Sequence, residues 1–161
     1  MALKRATALT LAEALAVLLQ TWNKAYYQYR KLDLHHLGAI ERLLGRHQAA
    51  LARHRRATLQ AMTEREETTV SRLVIEFERV LGPVGAAKAL HLLAPRVFPI
   101  WDRTIAKAYD LSLGKAGSNG RRYWDFMFIT RDQCAQLKLD GNALKAIDEY
   151  NDCTHTKGWV R

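Results

Sequence analysis

The chain has 161 residues, 48% of them hydrophobic, with only 3 Pro and 9 Gly, which suits one folded domain with a sizeable core and few long loops. Its formal net charge of +9, at a sequence pI of about 9.8, favours a polyanionic partner. Two cysteines, Cys134 and Cys153, exclude a disulfide framework and lack metal-ligand spacing, and no apolar run approaches the roughly 20 residues of a membrane span.

The apolar start resembles a leader faintly, but Thr10 and Glu13 interrupt it. Thr10-Leu-Ala-Glu13 matches a capping box, in which a hydroxyl and a carboxylate satisfy free N–H groups at a helix start. The segment therefore reads as helix, and the protein as cytoplasmic. The periodicity of Leu11, Leu15, Leu18, Trp22, Tyr26 and Tyr29 predicts one helix from Thr10 to about Arg30. Its aromatic and basic second half has two readings. Trp22 and Tyr26 either stack on bases or form a buried stripe, and Tyr27, off that stripe, is expected to be exposed.

Asp33 caps a second stretch carrying Leu37, Ile40 and Leu44, which Gly45 is expected to break. A basic helical run follows from Arg46 to Met62, with His47, Arg53, His54, Arg55 and Arg56. Arg53 and Arg56 are candidates for phosphate contact, and a solvated face is the alternative. Neither His47 with His54 nor His35 with His36 has the further ligands a zinc ion needs.

Thr63-Glu-Arg-Glu66 is a second capping box, opening a helix to about Leu81 with Val70, Leu73, Val74, Phe77 and Val80 on its buried face. Gly82-Pro83-Val84-Gly85 reads as a turn, and a short helix follows to Leu93. Pro95 and Pro99 make the segment from Ala94 to Trp101 extended, and Asp102 starts a helix to about Tyr109. Residues 114–120 form a Gly/Ser/Asn loop, two more helices cover about 121–137 and 142–151, and the tail from Cys153 has no clear period. The expectation is an all-α fold: one domain over 1–161, about eight helices, no strands, no repeat and no dividing linker.

Three residues near the turn admit two uses each. Asp102 is either an ordinary N-cap, held by first-turn N–H groups and the helix dipole, or a fixed carboxylate that stabilises positive charge on a substrate. Trp101 either walls a pocket or fills the core. His91 either touches substrate or is an interior group. Arg96, Arg103, Lys107, Lys115, Arg121 and Arg122 cluster around Asp102 in sequence, as phosphate contacts or as a solvated rim.

The segment Leu81-Gly-Pro-Val-Gly85, Ala89, Phe98-Pro-Ile-Trp-Asp102, Ile105 and Ala106 resembles the core of the helix-hairpin-helix DNA glycosylases. Lys88-Ala-Leu-His-Leu92, Pro95, Phe98, Trp101, Asp102 and Ile105 also fit a signature of glycosylase-like bacterial proteins. The likeness is concentrated within 70–113 and extends weakly to the segment of Tyr123 and Trp124. It implies a helix-hairpin-helix element and cleavage of the N-glycosidic bond of a flipped, modified or damaged base in DNA. It implies that backbone around Gly82, Val84 and Gly85 grips phosphates, with a monovalent cation on hairpin carbonyls. Asp102 then stabilises the oxocarbenium-like sugar or positions water, and no cofactor is required for the chemistry. Trp22, Tyr26, Tyr27, Lys88, His91, Trp101, Tyr123 and Trp124 are the pocket candidates.

Two departures shape the expectation. Gly82 precedes Pro83, and proline has no N–H to offer a phosphate. The position of the family's nucleophilic lysine is Ala87, with Lys88 about 100° further around the helix, so Lys88 is expected to face elsewhere and the enzyme to be monofunctional. The four-cysteine iron–sulfur loop of some members cannot form. The competing functions are a non-catalytic nucleic-acid-binding module and a helical interaction protein.

Overall fold

A computed structural model describes residues 8–137 and 142–159. Among these residues the chain is helical and strand-free, with seven α-helices: α1 (Leu11–Trp22), α2 (Lys24–Tyr27), α3 (Leu34–Arg56), α4 (Glu67–Leu93), α5 (Arg103–Ala108), α6 (Gly120–Leu137) and α7 (Ala143–Asn151). Short 3-10 turns at Leu59–Ala61 and Glu64–Glu66 lead into α4, and a π-helical turn, Asp152–Thr156, follows α7. No described helix is long and apolar enough to cross a membrane.

The capping signals work as read. The Thr10 hydroxyl accepts from the Glu13 N–H while the Glu13 carboxylate accepts from the Thr10 N–H. Asp33 accepts from the His36 N–H, and Glu66 accepts from the Thr63 N–H in a box that heads a 3-10 turn rather than α4 itself. Three boundaries differ from expectation. Helix α3 ends at Arg56, where Ala57 turns extended, instead of running on to Met62. The first helix stops at Trp22, where Asn23 leaves helical geometry at φ −119°, ψ 48° and is buried. The stripe expected to run from Leu11 to Tyr29 is thereby cut, and Trp22 is 41% exposed and Tyr29 88% exposed. In contrast, α3 runs straight through Gly45, an exposed position where the roughly 1 kcal/mol glycine penalty is outweighed by the packing of Ile40, Leu43, Leu44 and Leu51.

α4 is the central element and packs against α1, α3 and α6. It bends at Gly82, whose φ of 72° and ψ of 168° are open to glycine and costly for other residues. The bend divides it into limbs 67–81 and 83–93. Pro83 sits in the first turn of the second limb, where its missing N–H removes no intrahelical bond. The corner is held by α2: a Cβ on Gly82 would lie 2.8 Å from the Tyr26 ring, and the Tyr26 hydroxyl donates to the Val80 carbonyl at 2.9 Å. On the other limb, α6 comes so close that a Cβ on Gly120 would lie 2.4 Å from the Ser71 carbonyl oxygen.

One cluster of buried side chains draws on every helix except α2, from Leu15 and Leu19 through Ile40, Phe77 and Leu90 to Leu144 and Ile147. The segment between Pro95 and Trp101 crosses this core, burying Val97, Phe98 and Trp101. That burial carries the chain to the head of α5 and sets the position of Asp102.

Candidate active site

Asp102 has extended backbone, φ −126° and ψ −172°, and caps α5. Its Oδ1 accepts from the Thr104 and Ile105 N–H groups, each at 2.8 Å. Its Oδ2 accepts from the Thr156 hydroxyl at 2.9 Å. Thr156 belongs to the turn after α7, so the tail that showed no period in sequence closes one side of the carboxylate.

Asp102 is half-buried and stands between two adjoining clefts. The narrower, about 300 Å³, is lined by Trp22, Lys88, His91, Asp102, Asp148 and Thr156, among others. The wider, about 620 Å³, takes in Tyr26, Gly82, Val84, Gly85 and Arg103. Trp22, Lys88 and Asp102 belong to both. The bent corner, the carboxylate and an exposed indole therefore share one concave surface.

Lys88 faces this surface, contrary to expectation. The neighbouring Ala87 is the residue turned into the core, because the bend at Gly82 sets the phase of the second limb. The Lys88 ammonium donates to the Trp22 carbonyl at 2.6 Å and lies 5.1 Å from the Trp22 ring centre. Burial pulls its pKa below the ordinary amine value, against the opposing pull of the Asp102 and Asp152 carboxylates.

His91 Nδ1–H donates to the Phe98 carbonyl at 2.9 Å, and the Trp22 ring meets the imidazole edge-on at 6.5 Å. Burial lowers the His91 pKa, while the bond to Phe98 acts the other way. Behind His91 lies Asp148, 8% exposed. Its Oδ1 accepts from the Ile100 N–H at 3.0 Å, and its Oδ2 is 3.5 Å from His91 Nδ1 without a hydrogen bond. Burial pushes its carboxyl up to about 7.

Several expected pocket residues lie elsewhere. Trp101, Tyr123 and Trp124 are sealed in the core and have no face left for a base. Trp101 stacks on Phe126 at 5.5 Å, the Tyr123 hydroxyl donates to the Pro99 carbonyl at 2.6 Å, and Trp124 packs on Phe128 at 4.6 Å. Tyr123 and Trp124 lie on α6, the helix that packs on α4, and Trp101 is covered by Tyr123 and Phe126 of the same helix. Tyr27 is half-buried rather than exposed, because α2 turns it onto α3, where its hydroxyl lies 3.2 Å from His36 Nε2. Burial raises that phenol to about 12.

The basic residues that cluster in sequence do not cluster in space. Arg103 lines the wider cleft and Lys107 is exposed on α5. Arg96 borders a separate recess with Thr58, Gln60 and Asn142. Arg121 is paired with Glu67 and with Asp125, and Arg122 reaches the Ser118 carbonyl at 3.4 Å. Glu67 begins α4 and Gly82 comes 15 residues later, a rise of about 22 Å along a helix, so Arg121 lies far from the corner. Arg53 is 3.9 Å from Glu66, and Arg56 lines a recess with Leu51 and Leu93. In their place, Lys24 and Lys145 border the clefts.

Asp148 was missed, although α7 carried a signal. Leu144, Ile147, Asp148 and Asn151 share the buried helical face, and an acid at that register is out of pattern. Among the described residues, no group of three or more His, Cys, Asp or Glu side chains is placed to hold a metal ion. No family model matches the chain, and no curated protein or solved structure matches it.

Proposed function

We propose that this chain is a monofunctional DNA glycosylase that cleaves the N-glycosidic bond of a flipped, modified or damaged base. One observation carries the reading: Asp102, the Gly82–Gly85 corner and the exposed Trp22 line a single pair of connected clefts. The limbs on either side of Gly82 then serve as a helix-hairpin-helix element. The first-turn N–H groups of a helix have no intrahelical acceptor, so that of the half-buried Val84 suits a phosphate, with Arg103 and Lys24 beside it, whereas Gly82 and Gly85 are themselves buried. Pro83 removes one donor from this set.

The chemistry assigned to Asp102 is electrostatic. A carboxylate fixed by two N–H groups and a hydroxyl needs no reorganisation when positive charge develops on the sugar. Trp22 supplies an aromatic face for the extruded base, at the lip of the narrower cleft. Lys88 is tied to the Trp22 carbonyl. Held there, its role is to keep the indole in place and to offer positive charge to phosphate, and the reaction ends at an abasic site without a Schiff base. A monovalent cation on the corner carbonyls belongs to the resemblance. Here the Val80 carbonyl is already taken by the Tyr26 hydroxyl, and no step of the chemistry depends on the ion.

The test is abasic-site formation on duplexes carrying a panel of modified bases. Asp102→Asn is expected to lower the single-turnover rate about 10²–10³-fold while duplex affinity stays nearly constant, since the lost charge acts on the transition state. One observation favours a non-catalytic binding module instead: both Asp102 oxygens already have donors, as in an ordinary cap. That reading prevails if the wild-type protein binds duplex in a salt-dependent way and releases no base.

A further inference from the structure

The Asp102 cleft holds a second chemical group that the proposed function leaves unused. His91 projects into it from the second limb of α4. A carbonyl can only accept, so the 2.9 Å contact of Nδ1 with the Phe98 oxygen fixes the proton on Nδ1. Nε2 is then an unprotonated acceptor. It has no hydrogen bond among the described residues, and the ring that carries it lines the cleft. On the far side of the ring, the buried Asp148 Oδ2 lies 3.5 Å from Nδ1 with no partner of its own. The group is thus a base with one nitrogen anchored, one nitrogen free and a carboxyl behind it.

We propose that His91 is the general base of the reaction, taking a proton through Nε2 from the water that attacks the sugar, with Asp148 as its positioning residue. The proposal rests on the glycosylase reading and deepens it. As the C1′–N bond breaks, its electron pair leaves with the base. Asp102 faces the sugar cation, the water oxygen bonds to C1′, and the water proton passes to His91 Nε2. The imidazolium returns that proton to the departed base nitrogen, so the products are a neutral base and an abasic sugar, with His91 restored. The imidazolium carries its charge at Nδ1–H next to the Asp148 carboxyl, which explains an acid buried there.

Charge around the ring sets the pH behaviour. Lys88 lies on the same helix and Asp102 heads α5, while α7 and its following turn contribute Lys145, Asp148, Glu149 and Asp152. Burial favours the neutral ring, and the bond to the Phe98 carbonyl favours the charged one. His91 is lowered on balance, so the base stays available to lower pH than that of a free imidazole.

The experiment is the pH dependence of single-turnover abasic-site formation by wild-type, His91→Gln and His91→Ala protein. His91→Gln is expected to lose about 100-fold in rate, with unchanged duplex affinity and no acidic limb. Imidazole added to His91→Ala should restore part of the rate. Asp148→Asn, which cannot ionise, should match wild type at low pH and fall severalfold short at pH 8. A His91→Gln protein with the wild-type rate and acidic limb overturns the proposal and leaves the glycosylase reading intact. A wild-type protein silent on every duplex removes both, and is recognised by that silence. Should the variants fail to fold, the long-range proton–nitrogen spectrum of the wild-type imidazole decides: an Nδ1–H tautomer supports the assignment, and an Nε2–H tautomer overturns it.

Discussion

The two ends of α4 are built to different rules. Along the limb 67–81 the acids are held by side chains and N–H groups of neighbouring elements, although the second oxygen of Glu78 is buried without a partner. Glu67 meets Arg121, Glu76 meets Arg46, His47 and Arg72, and one oxygen of the buried Glu78 accepts from the Gly117 and Asn119 N–H groups and the Asn119 amide. Along the limb 83–93, Lys88 and His91 are satisfied only by backbone carbonyls, and the acid behind His91 has an unpartnered oxygen. One end also has backbone approaching too closely for a methyl group, whereas the other opens into clefts of about 300 and 620 Å³. The same helix is a structural spine at its start and a chemical surface at its end. Open space beside Lys88 and His91, rather than charge or unmet hydrogen bonds as such, distinguishes the second limb from the first.

Substitutions at each end should separate activity from stability. The largest effect expected is that of Asp102→Asn, a loss of about 10²–10³-fold in base release. Its melting temperature should barely change, because Asn is as good an N-cap as Asp and only the dipole contribution, under about 1 kcal/mol, is lost. Gly120→Ala should do the reverse. Its new methyl meets the Ser71 backbone, which cannot rotate away, so α4 and α6 must separate at a cost of about 3 kcal/mol. Urea denaturation would measure that loss, and base release per folded molecule should be unchanged. Native stability in the Gly120→Ala protein would mean that α6 does not approach the first limb as closely as described.

Helices and caps were legible in sequence because they depend on neighbours three and four residues away. Thr10, Asp33 and Asp102 cap as their spacing indicates, whereas the Thr63 box heads a 3-10 turn rather than α4 itself. The bend was legible too, since Gly82 followed by Pro83 has few other uses. What local pattern could not supply was side-chain direction after a break in phase. The end of α1 at Trp22 exposed an indole that periodicity had placed on a continuous stripe, and the bend at Gly82 turned Lys88 rather than Ala87 toward the cleft. Arg96 and Arg121 sit near Asp102 in sequence, yet an extended crossing of the core and the length of a helix carry them away. Thr156, 54 residues from Asp102, left no local signal at all.

The contrast between the ends can be sharpened by pH through Asp148. Its carboxyl is raised from about 3.8 to about 7 by burial, so the folded protein holds a proton there that the unfolded chain has released. Stability should therefore decline as pH rises from about 4 through about 7 and then level off, a loss of about 4 kcal/mol from this group. Asp148→Asn keeps the shape and the acceptor for Ile100 N–H but cannot ionise. Its melting temperature should be insensitive to pH in that window and should exceed the wild-type value at pH 8. Equal slopes for the two proteins would show that Asp148 titrates as an ordinary surface acid.

The smallest effect belongs to the opposite end and runs with the opposite sign. Hydrogen bonds from His47 and then Arg46 hold the Glu76 carboxyl down to about 2. A depressed acid stabilises the fold at pH values above its unfolded pKa, about 4.5, and that contribution disappears as pH falls toward 2. Arg46 and Arg72 are largely exposed, so water and salt screen most of their attraction and the expected cost of Glu76→Gln is only about 1 kcal/mol at neutral pH. That difference should shrink with added salt and fade as pH drops toward about 2, where wild-type Glu76 takes up its proton as the variant's amide never can. Opposite pH slopes from two carboxyls, one serving each end of α4, would follow from a single cause: Glu76 has its cations, and Asp148 has been left without any.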